Sequence, residues 1–147
     1  MKNAFAVGVT GHRPHKLNAA RLEIIAADIR RALMHIEARL APRPLALVCS
    51  IAEGADTMAA KAALALGWRL IAPIPFPAGH YARDFPPGPA ADDFRRLMQA
   101  AEVSVCTPDR LALSDETLGY TAASLAMLES ADALIAVWDG ATMSIAV

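Results

Sequence analysis

The sequence predicts an α/β domain with a mostly parallel sheet, and three observations lead to this prediction. Short apolar runs alternate with segments of helical periodicity along the chain, which is the pattern of repeated strand–helix–strand units. The runs are rich in Val, Ile, Leu and Ala, as expected of strands buried on both faces. The length of 147 residues suits one domain. We therefore expect a single Rossmann-like three-layer domain over residues 1–147, with five or more strands in the order 3-2-1-4-5.

Five strands and four helices are predicted in chain order. The predicted strands are Phe5–Thr10, Leu45–Cys49, Arg69–Ile74, Glu102–Cys106 and Ala133–Trp138. The predicted helices are Asn18–Leu40, Ala55–Leu66, Ala90–Ala101 and Thr117–Ser130. The first helix carries apolar residues every three or four positions, as one buried stripe requires; they are Leu22, Ile25, Ile29, Leu33, Ile36 and Leu40. Asn18 is its predicted N-cap. The proline-rich segment Pro75–Pro89 is predicted to be a loop.

Composition excludes several classes of protein and partner. Fourteen basic and fifteen acidic residues give a formal charge of −1, so the chain lacks the broad basic face that duplex nucleic acid requires. No uncharged apolar run approaches the roughly 18 residues of a membrane span, and the run Ala4–Val9 is too short for a signal sequence. We therefore expect a cytoplasmic protein with no membrane partner.

Cysteine and histidine spacing predicts no metal site and no bound cofactor. Cys49 and Cys106 are the two cysteines, and each follows an apolar run without forming a metal-type cluster. We interpret both as reduced, structural thiols. His12 and His80 have no second ligand at metal-binding spacing.

The segment after the last predicted strand is short. Only Asp139–Val147 follow it, too few residues for a covering helix and a further strand. Parallel sheets are usually covered on both faces, so we expect either a truncated domain, which we favour, or a partner chain over this edge. Exposed strand edges invite pairing, and a homo-oligomer is the expected assembly.

The first candidate site follows the first strand, where Gly8-Val9-Thr10-Gly11-His12-Arg13-Pro14 leaves it. Ligands of open parallel sheets bind outside the carboxyl ends of the strands. Glycines let the backbone approach a phosphate, and a nearby helix start and Arg13 favour an anion. The expected ligand-binding residues are Gly8, Thr10, Gly11, His12 and Arg13. The alternative is a tight turn that needs glycine for its backbone angles. The segment is neither a Walker loop nor a full dinucleotide fingerprint.

The second candidate site, Ser50–Asp56, follows the second strand. Its small residues at a helix start could bind a phosphate or a ribose, and we expect ligand contacts from Ser50, Glu53, Gly54, Ala55 and Asp56. Glu53 or Asp56 could also act as a general base. Alternatively, Ser50 and Glu53 form a capping box, and the acidic residues only complement the helix dipole.

The third candidate site lies in the loop after the third strand. Tyr81 or Phe85 could stack on a base, and Asp84 could accept a hydrogen bond from an exocyclic amine. The alternative is an ordered surface loop with Phe85 tucked beneath it. Tyr120, on the last predicted helix, is a weaker candidate for a ligand contact, and an aromatic residue on that helix more often belongs to the core.

Together these segments resemble the SLOG superfamily, which includes the Lonely Guy phosphoribohydrolases and the DNA-processing protein of natural transformation. The resemblance rests on Val9-Thr10-Gly11-His12-Arg13, Glu53-Gly54-Ala55-Asp56, Tyr81 with Asp84-Phe85, and Ala133–Gly140. It implies a Rossmann-like sheet and a nucleotide-type ligand contacted by Gly11, Arg13, Ser50, Glu53 and Gly54. The Pro-Gly-Gly-x-Gly-Thr loop of the phosphoribohydrolases is not found in this sequence.

Three functional hypotheses follow from the sequence. The first is binding or sensing of a nucleotide or nucleotide-derived molecule. The second is a hydrolase that cleaves an N-glycosidic or phosphate-linked bond with Glu53 or Asp56 as base. The third is an interaction module that binds single-stranded DNA or a partner subunit through the edge of the fifth strand.

Overall fold

A single parallel sheet of five strands forms the centre of the protein. The computed structural model describes residues 4–11, 19–106 and 116–138. The strands are β1 (Phe5–Gly11), β2 (Leu45–Val48), β3 (Arg69–Ile74), β4 (Glu102–Val105) and β5 (Ala133–Val137). The helices are α1 (Ala19–Leu40), α2 (Ala55–Ala65), α3 (Ala78–Tyr81), α4 (Pro89–Ala100) and α5 (Glu116–Ser130). The predicted α/β fold is confirmed, and each predicted strand and helix ends within one residue of its predicted bounds.

The segment after β3 contains more structure than the sequence predicts. It was expected to be a loop throughout, but it includes α3 and a 3-10 turn at Ala82–Asp84. Pro77 precedes α3, and its carbonyl accepts hydrogen bonds from the backbone N–H groups of His80 and Tyr81, both at 2.9 Å. Proline suits the start of a helix because its φ is already helical and it has no N–H to satisfy. The predicted cap Asn18 and the segment Asp139–Val147 lie outside the described residues.

The predicted strand order 3-2-1-4-5 is wrong, since the order is β4-β3-β2-β1-β5. β4 pairs with β3 instead of β1, with a register that runs from Ile71 opposite Glu102 to Ile74 opposite Val105. The Arg69 guanidinium also donates to both carboxylate oxygens of Glu102, at 2.9 and 2.7 Å, across this strand pair. On the other side of the sheet, the Asp132 N–H donates to the Ala6 carbonyl at 2.7 Å, and the Ala6 N–H donates to the Asp132 carboxylate at 2.9 Å. These two bonds hold the start of β5 against β1.

One face of the sheet carries the main hydrophobic core, where α1, α2 and α4 pack. Alternate strand residues point to this face, namely Val7, Val9, Leu45, Leu47, Cys49, Leu70, Ala72 and Ile74. From the predicted stripe of α1, Ile29 and Leu33 are buried in this core. Ile25, Ile36 and Leu40 of the same stripe are partly buried and pack against it. Phe94 and Leu97 of α4 are also buried, so their predicted inward orientation is confirmed.

The opposite face of the sheet is covered by α5, which contacts β3 and β1. Met127 of α5 packs there against Ala6, Val48 and Ile71. Helices on both faces give the expected three layers. None of the helices in the described ranges is both long and apolar enough to cross a membrane.

Glycine allows α5 to lie unusually close to the segment after β3. A Cβ built on Gly119 would lie 2.4 Å from Cε1 of Phe76 and 2.9 Å from the carbonyl oxygen of Pro75. Gly119 is itself buried in the helix. A side chain at position 119 would push α5 away from these atoms. The glycine therefore sets the distance between α5 and the carboxyl ends of the strands.

Candidate functional site

A cavity of about 150 Å³ opens at the carboxyl ends of β1, β2 and β3, beneath α5. Its described lining comes from the ends of three strands, the segments that follow them, and one helix. The lining residues are Val9, Thr10, Gly11, Ser50, Ala52, Asp56, Pro75, Tyr81, Tyr120, Ala123, Ser124 and Met127. This is the edge of a parallel sheet at which ligands bind. In the observed order, β2 and β5 lie on opposite sides of β1, so the direction of the strand connections reverses between β1 and β5. The cavity begins at β1, beside this reversal, and extends towards β3.

The β1 side of the cavity is formed by Thr10 and Gly11, and packing explains the glycine. The φ angle of Gly11 does not lie in the left-handed region, but a Cβ there would approach that of Ala55 to 2.7 Å and that of Val137 to 2.9 Å. Gly11 therefore lets the first turn of α2 pack against β1 and β5. Neither reason offered by the sequence, a phosphate contact or special backbone angles, is needed to account for this residue.

The β2 side of the cavity is a strained loop stabilised by Asp56. Ile51 is fully buried and has a φ of 56°, a left-handed conformation that β-branched residues rarely adopt. The next residue, Ala52, donates its N–H to the Asp56 carboxylate at 3.2 Å, and its carbonyl accepts from the Thr57 hydroxyl at 2.9 Å. These bonds and the burial of Ile51 hold the loop in place, so Asp56 reaches the cavity wall in a defined position.

The alternative of a capping box from Ser50 to Glu53 is not observed. The residue before α2 is Gly54, with a φ of 105°, and no side chain caps the helix there. Ser50 lies too far before the helix to cap it. Its carbonyl instead accepts a hydrogen bond from the Tyr81 hydroxyl at 2.9 Å, which ties the segments after β2 and β3 together across the cavity floor.

The aromatic residues after β3 belong to the core. The Tyr81 ring is 1% exposed, and it packs edge-on against Phe85 and Phe94 at centroid distances of 5.4 Å. Phe85 in turn stacks on Phe94 at 4.2 Å. A base could not stack on Tyr81 or Phe85 without repacking this cluster, so the expected contact from Tyr81 is limited to its hydroxyl. Phe85 is buried beneath the segment after β3, as the alternative prediction of an ordered surface loop expected.

The roof of the cavity is α5, and two polar contacts tie it to the segment after β3. The Tyr120 hydroxyl donates to the carboxylate of Asp84. Glu116 contacts Nε2 of His80 at 3.1 Å, and the His80 ring stacks on Phe76 at 4.4 Å. These contacts and the close packing at Gly119 hold the roof over the strand ends.

The lining residues of α5 were not predicted as site residues. They are Tyr120, Ala123, Ser124 and Met127, which recur at the i, i+3, i+4 and i+7 spacing of one helix face. That spacing was visible in the sequence, but Tyr120 was considered only as a weaker candidate, because an aromatic residue on that helix more often belongs to the core. The sequence did not show that this face would cover the strand ends, because the predicted strand order placed the last helix elsewhere.

Cys49, the residue before Ser50 of the cavity wall, is fully buried and is unsuited to nucleophilic chemistry. Burial, and then the nearby charge of Asp56, raise the pKa of its thiol well above the usual value. Burial also raises the pKa of the Cys106 thiol. Both cysteines are free. In the described part of the chain, no three His, Cys, Asp or Glu side chains come together in a way that could hold a metal ion.

Five residues predicted to bind a ligand lie together in the wall of this cavity. They are Thr10, Gly11, Ser50, Asp56 and Tyr81, drawn from all three candidate segments. Five others are near but do not line it: Gly8, Glu53, Gly54, Ala55 and Asp84. Gly8 lies under Met127. Asp84 does not line the cavity itself but accepts a hydrogen bond from the hydroxyl of Tyr120, which does. His12 and Arg13 lie outside the described residues.

Comparison with family models and with curated proteins identifies no relative of this chain. No family model matches the sequence, and no curated protein matches it either. The functional argument therefore depends on the residues and geometry of the cavity.

Proposed function

We propose that this protein binds or senses a nucleotide or nucleotide-derived molecule in the cavity beneath α5, as a member of the SLOG superfamily. One observation carries the proposal. Residues chosen from three separate segments of the sequence as ligand contacts, among them Thr10, Ser50 and Asp56, converge on one cavity. Such convergence at the carboxyl ends of parallel strands is where a ligand of an open α/β sheet is expected to bind, and it supports the proposal.

The construction of the cavity suits recognition of a small ligand. Binding sites need a few well-placed polar groups on a rigid scaffold. Here Thr10, Ser124 and Asp56, which carry two hydroxyls and a carboxylate, are among the residues that line the wall. The Asp56 position is set by its bond from Ala52. The roof is held by Gly119 against Phe76.

Ligand-dependent thermal unfolding tests the proposal. The panel is AMP, ADP-ribose, NAD, a cyclic nucleotide and a short single-stranded oligonucleotide. A ligand at 100 times its dissociation constant stabilises the folded state by about 2.7 kcal/mol, which raises the unfolding midpoint measurably. If no member of the panel raises it, the proposal is refuted.

A pair of variants on α5 assigns any such shift to the cavity. Ser124 lines the cavity, so Ser124→Leu should fill it and abolish the shift. Thr121 is exposed on the same helix and does not line the cavity, so Thr121→Leu should retain the shift. Gly11→Val is unsuitable for this purpose, because its side chain would clash with Ala55 and Val137 whether or not a ligand binds there. A full shift in Ser124→Leu would place the ligand elsewhere.

Hydrolysis of the bound nucleotide is the alternative function of this same site. Of the two residues predicted as its base, Asp56 lines the cavity and Glu53 does not. A base acts within hydrogen-bonding reach of the proton it removes, so Asp56 is the residue we assign to this role. Incubation with nucleoside monophosphates should then release a free base or phosphate, and Asp56→Asn should abolish the release. Absence of product from the wild-type chain would exclude this alternative for those substrates.

Self-association is a second candidate function, and exposed apolar side chains favour it. On α5, on β5 and directly after β5, five large apolar residues are between 47% and 60% exposed: Leu118 51%, Leu125 54%, Leu128 51%, Leu134 47% and Trp138 60%. β5 is also the last strand on its side of the described sheet, and an edge strand can pair with another chain. Light scattering across a concentration series should show a dimer or larger species that Leu125→Glu converts to monomer. A wild-type monomer at every concentration would rule this out.

A further inference from the structure

The cavity beneath α5 is too small for a whole nucleotide. Its volume is about 150 Å³. An engineered protein cavity of roughly this volume accommodates one benzene ring, whereas sites that enclose a whole small molecule are roughly 300–1,000 Å³. A purine is a pair of fused rings and exceeds this space, while a ribose ring or a phosphate group fits. A bound nucleotide must therefore extend out of the cavity mouth, with a single small group inside.

The aromatic residues around the cavity are packed against other aromatic rings. Bases are commonly held by stacking on an aromatic face. The Tyr81 ring is buried against Phe85 and Phe94. The Tyr120 ring packs edge-on with Phe76 at a centroid distance of 5.1 Å, and its hydroxyl is hydrogen-bonded to the segment after β3. Both rings thus join that segment to its neighbours, and the other described lining residues are not aromatic.

The polar side chains of the wall do not match the edge of a particular base. The side chains that discriminate best between bases are the amides of Asn and Gln and the guanidinium of Arg, which contact two base atoms at once. None of these residue types is among the lining residues that the structure describes. The described wall instead includes Thr10, Ser50 and Ser124, whose hydroxyls can each donate and accept. Such groups suit sugar hydroxyls and phosphate oxygens alike.

Asp56 belongs to the framework of the wall. Its carboxylate accepts a hydrogen bond from the Ala52 N–H at 3.2 Å, and Asp56 has a further interaction as well. The size of the cavity and its hydroxyl groups, rather than this carboxylate, therefore decide which part of a ligand enters.

We infer that a nucleotide presents its sugar–phosphate end to the cavity and leaves its base outside, so that the protein binds mononucleotides with little regard to the base. This inference rests on the proposed nucleotide-binding function. It names the class of ligand as compounds that carry a ribose phosphate, with or without a base. A stacked base ordinarily strengthens binding by about fivefold or more, and this is the contribution that the cavity does not provide.

Calorimetric titration of the full chain with AMP, GMP, CMP and UMP tests this inference. The four affinities should lie within about fivefold of one another, because no base stacks in the cavity. Ribose 5-phosphate should bind and should compete with AMP, whereas adenine should not compete. Competition by inorganic phosphate would identify the phosphate as the group inside the cavity, and its absence would identify the ribose. Both of these results support the inference.

A cavity variant and a control on the same helix show where the ligand lies. Ser124 lines the cavity, so Ser124→Leu should weaken the binding of AMP and of ribose 5-phosphate by the same factor, at least about tenfold. Thr121 does not line it, so Thr121→Leu should weaken neither. Both substitutions are at exposed helix positions, and an unchanged unfolding midpoint without ligand controls for misfolding.

The outcomes separate this inference from the proposed function. Affinities that differ by more than about fivefold among the four mononucleotides would mean that the base is recognised. That result, competition by adenine, or failure of ribose 5-phosphate to bind would overturn the inference and leave nucleotide binding intact. The same holds if Ser124→Leu weakens the binding of AMP but not of ribose 5-phosphate. Absence of binding by every mononucleotide and by ribose 5-phosphate would overturn both.

Discussion

Substitution of Gly119 by alanine should destabilise the protein, although alanine is the better helix former. Gly119 lies within α5, where a Gly-to-Ala change alone would favour the helix by about 1 kcal/mol. The added Cβ would, however, lie 2.4 Å from Cε1 of Phe76. Carbon atoms in contact are ordinarily about 3.5–4.0 Å apart, so the helix and the ring must separate by more than about 1 Å.

The surroundings of Phe76 allow little of that movement. Phe76 is fully buried, stacked on His80 and edge-on to Tyr120. The second close atom is the backbone carbonyl oxygen of Pro75, at 2.9 Å. Overpacking of this kind costs about 1–3 kcal/mol. We place Gly119→Ala at the upper end, and after the helix-propensity gain the net loss is about 2 kcal/mol.

Gly79→Ala is the matched control for this substitution. Gly79 also lies in a helix, α3, and a Cβ there meets nothing within 4 Å, so its stability should stay equal or rise by up to about 1 kcal/mol. In a domain of this length about 2 kcal/mol lowers the unfolding midpoint by about 4–8 °C. Calorimetry or circular dichroism of the two variants gives the comparison. A Gly119→Ala midpoint at or above that of the wild type would refute the proposed close packing of α5.

Four other substitutions or treatments have definite expected outcomes. Asp132→Ala leaves the partly buried N–H of Ala6 without its acceptor and should cost about 1–3 kcal/mol in chemical denaturation, whereas Asp132→Asn should retain most of the stability. Iodoacetamide should label Cys106 in the folded chain and Cys49 only after unfolding, as mass spectrometry would show. Burial raises the pKa of the Cys49 thiol, so above about pH 8.5 this thiol ionises in the unfolded chain before it does in the folded one. The free energy of unfolding should therefore fall as the pH rises, and Cys49→Val should make it fall less steeply. Glu102→Gln should lower the free energy of unfolding only slightly, and added salt should reduce the difference, because the ion pair of Glu102 with Arg69 is exposed. The pKa of the Glu102 carboxyl is lowered in the folded chain, so the difference should disappear as the pH falls below about 4 and the carboxyl becomes protonated.

The sequence was sufficient for the local structure because its signals are local. Apolar periodicity fixes the buried side of α1, with Ile29 and Leu33 at its centre, and Gly67, with a φ of 80°, follows the end of α2 as a left-handed glycine does. The helix at Ala78–Tyr81 was missed because the surrounding prolines indicate a loop, and because a helix of four residues is too short to show periodicity.

The candidate site was predicted in part for a related reason. Residues at the carboxyl ends of β1 and β2 could be found because each end is marked by a change from apolar to small or polar residues, as at Thr10 and Ser50. Tyr120 and Ser124 carry no such mark, since they lie in the middle of a helix. Their role in the wall depends on where α5 crosses the sheet.

The sequence by itself determined the fold class, the number and bounds of the strands, and the segments that meet at the strand ends. These follow from the chemistry of neighbouring residues along the chain. Only the tertiary structure decided the strand order, because it depends on long-range contacts such as those between Asp132 and Ala6. It also decided that α5 roofs the cavity, since that position depends on the space left by Gly119 beside Phe76.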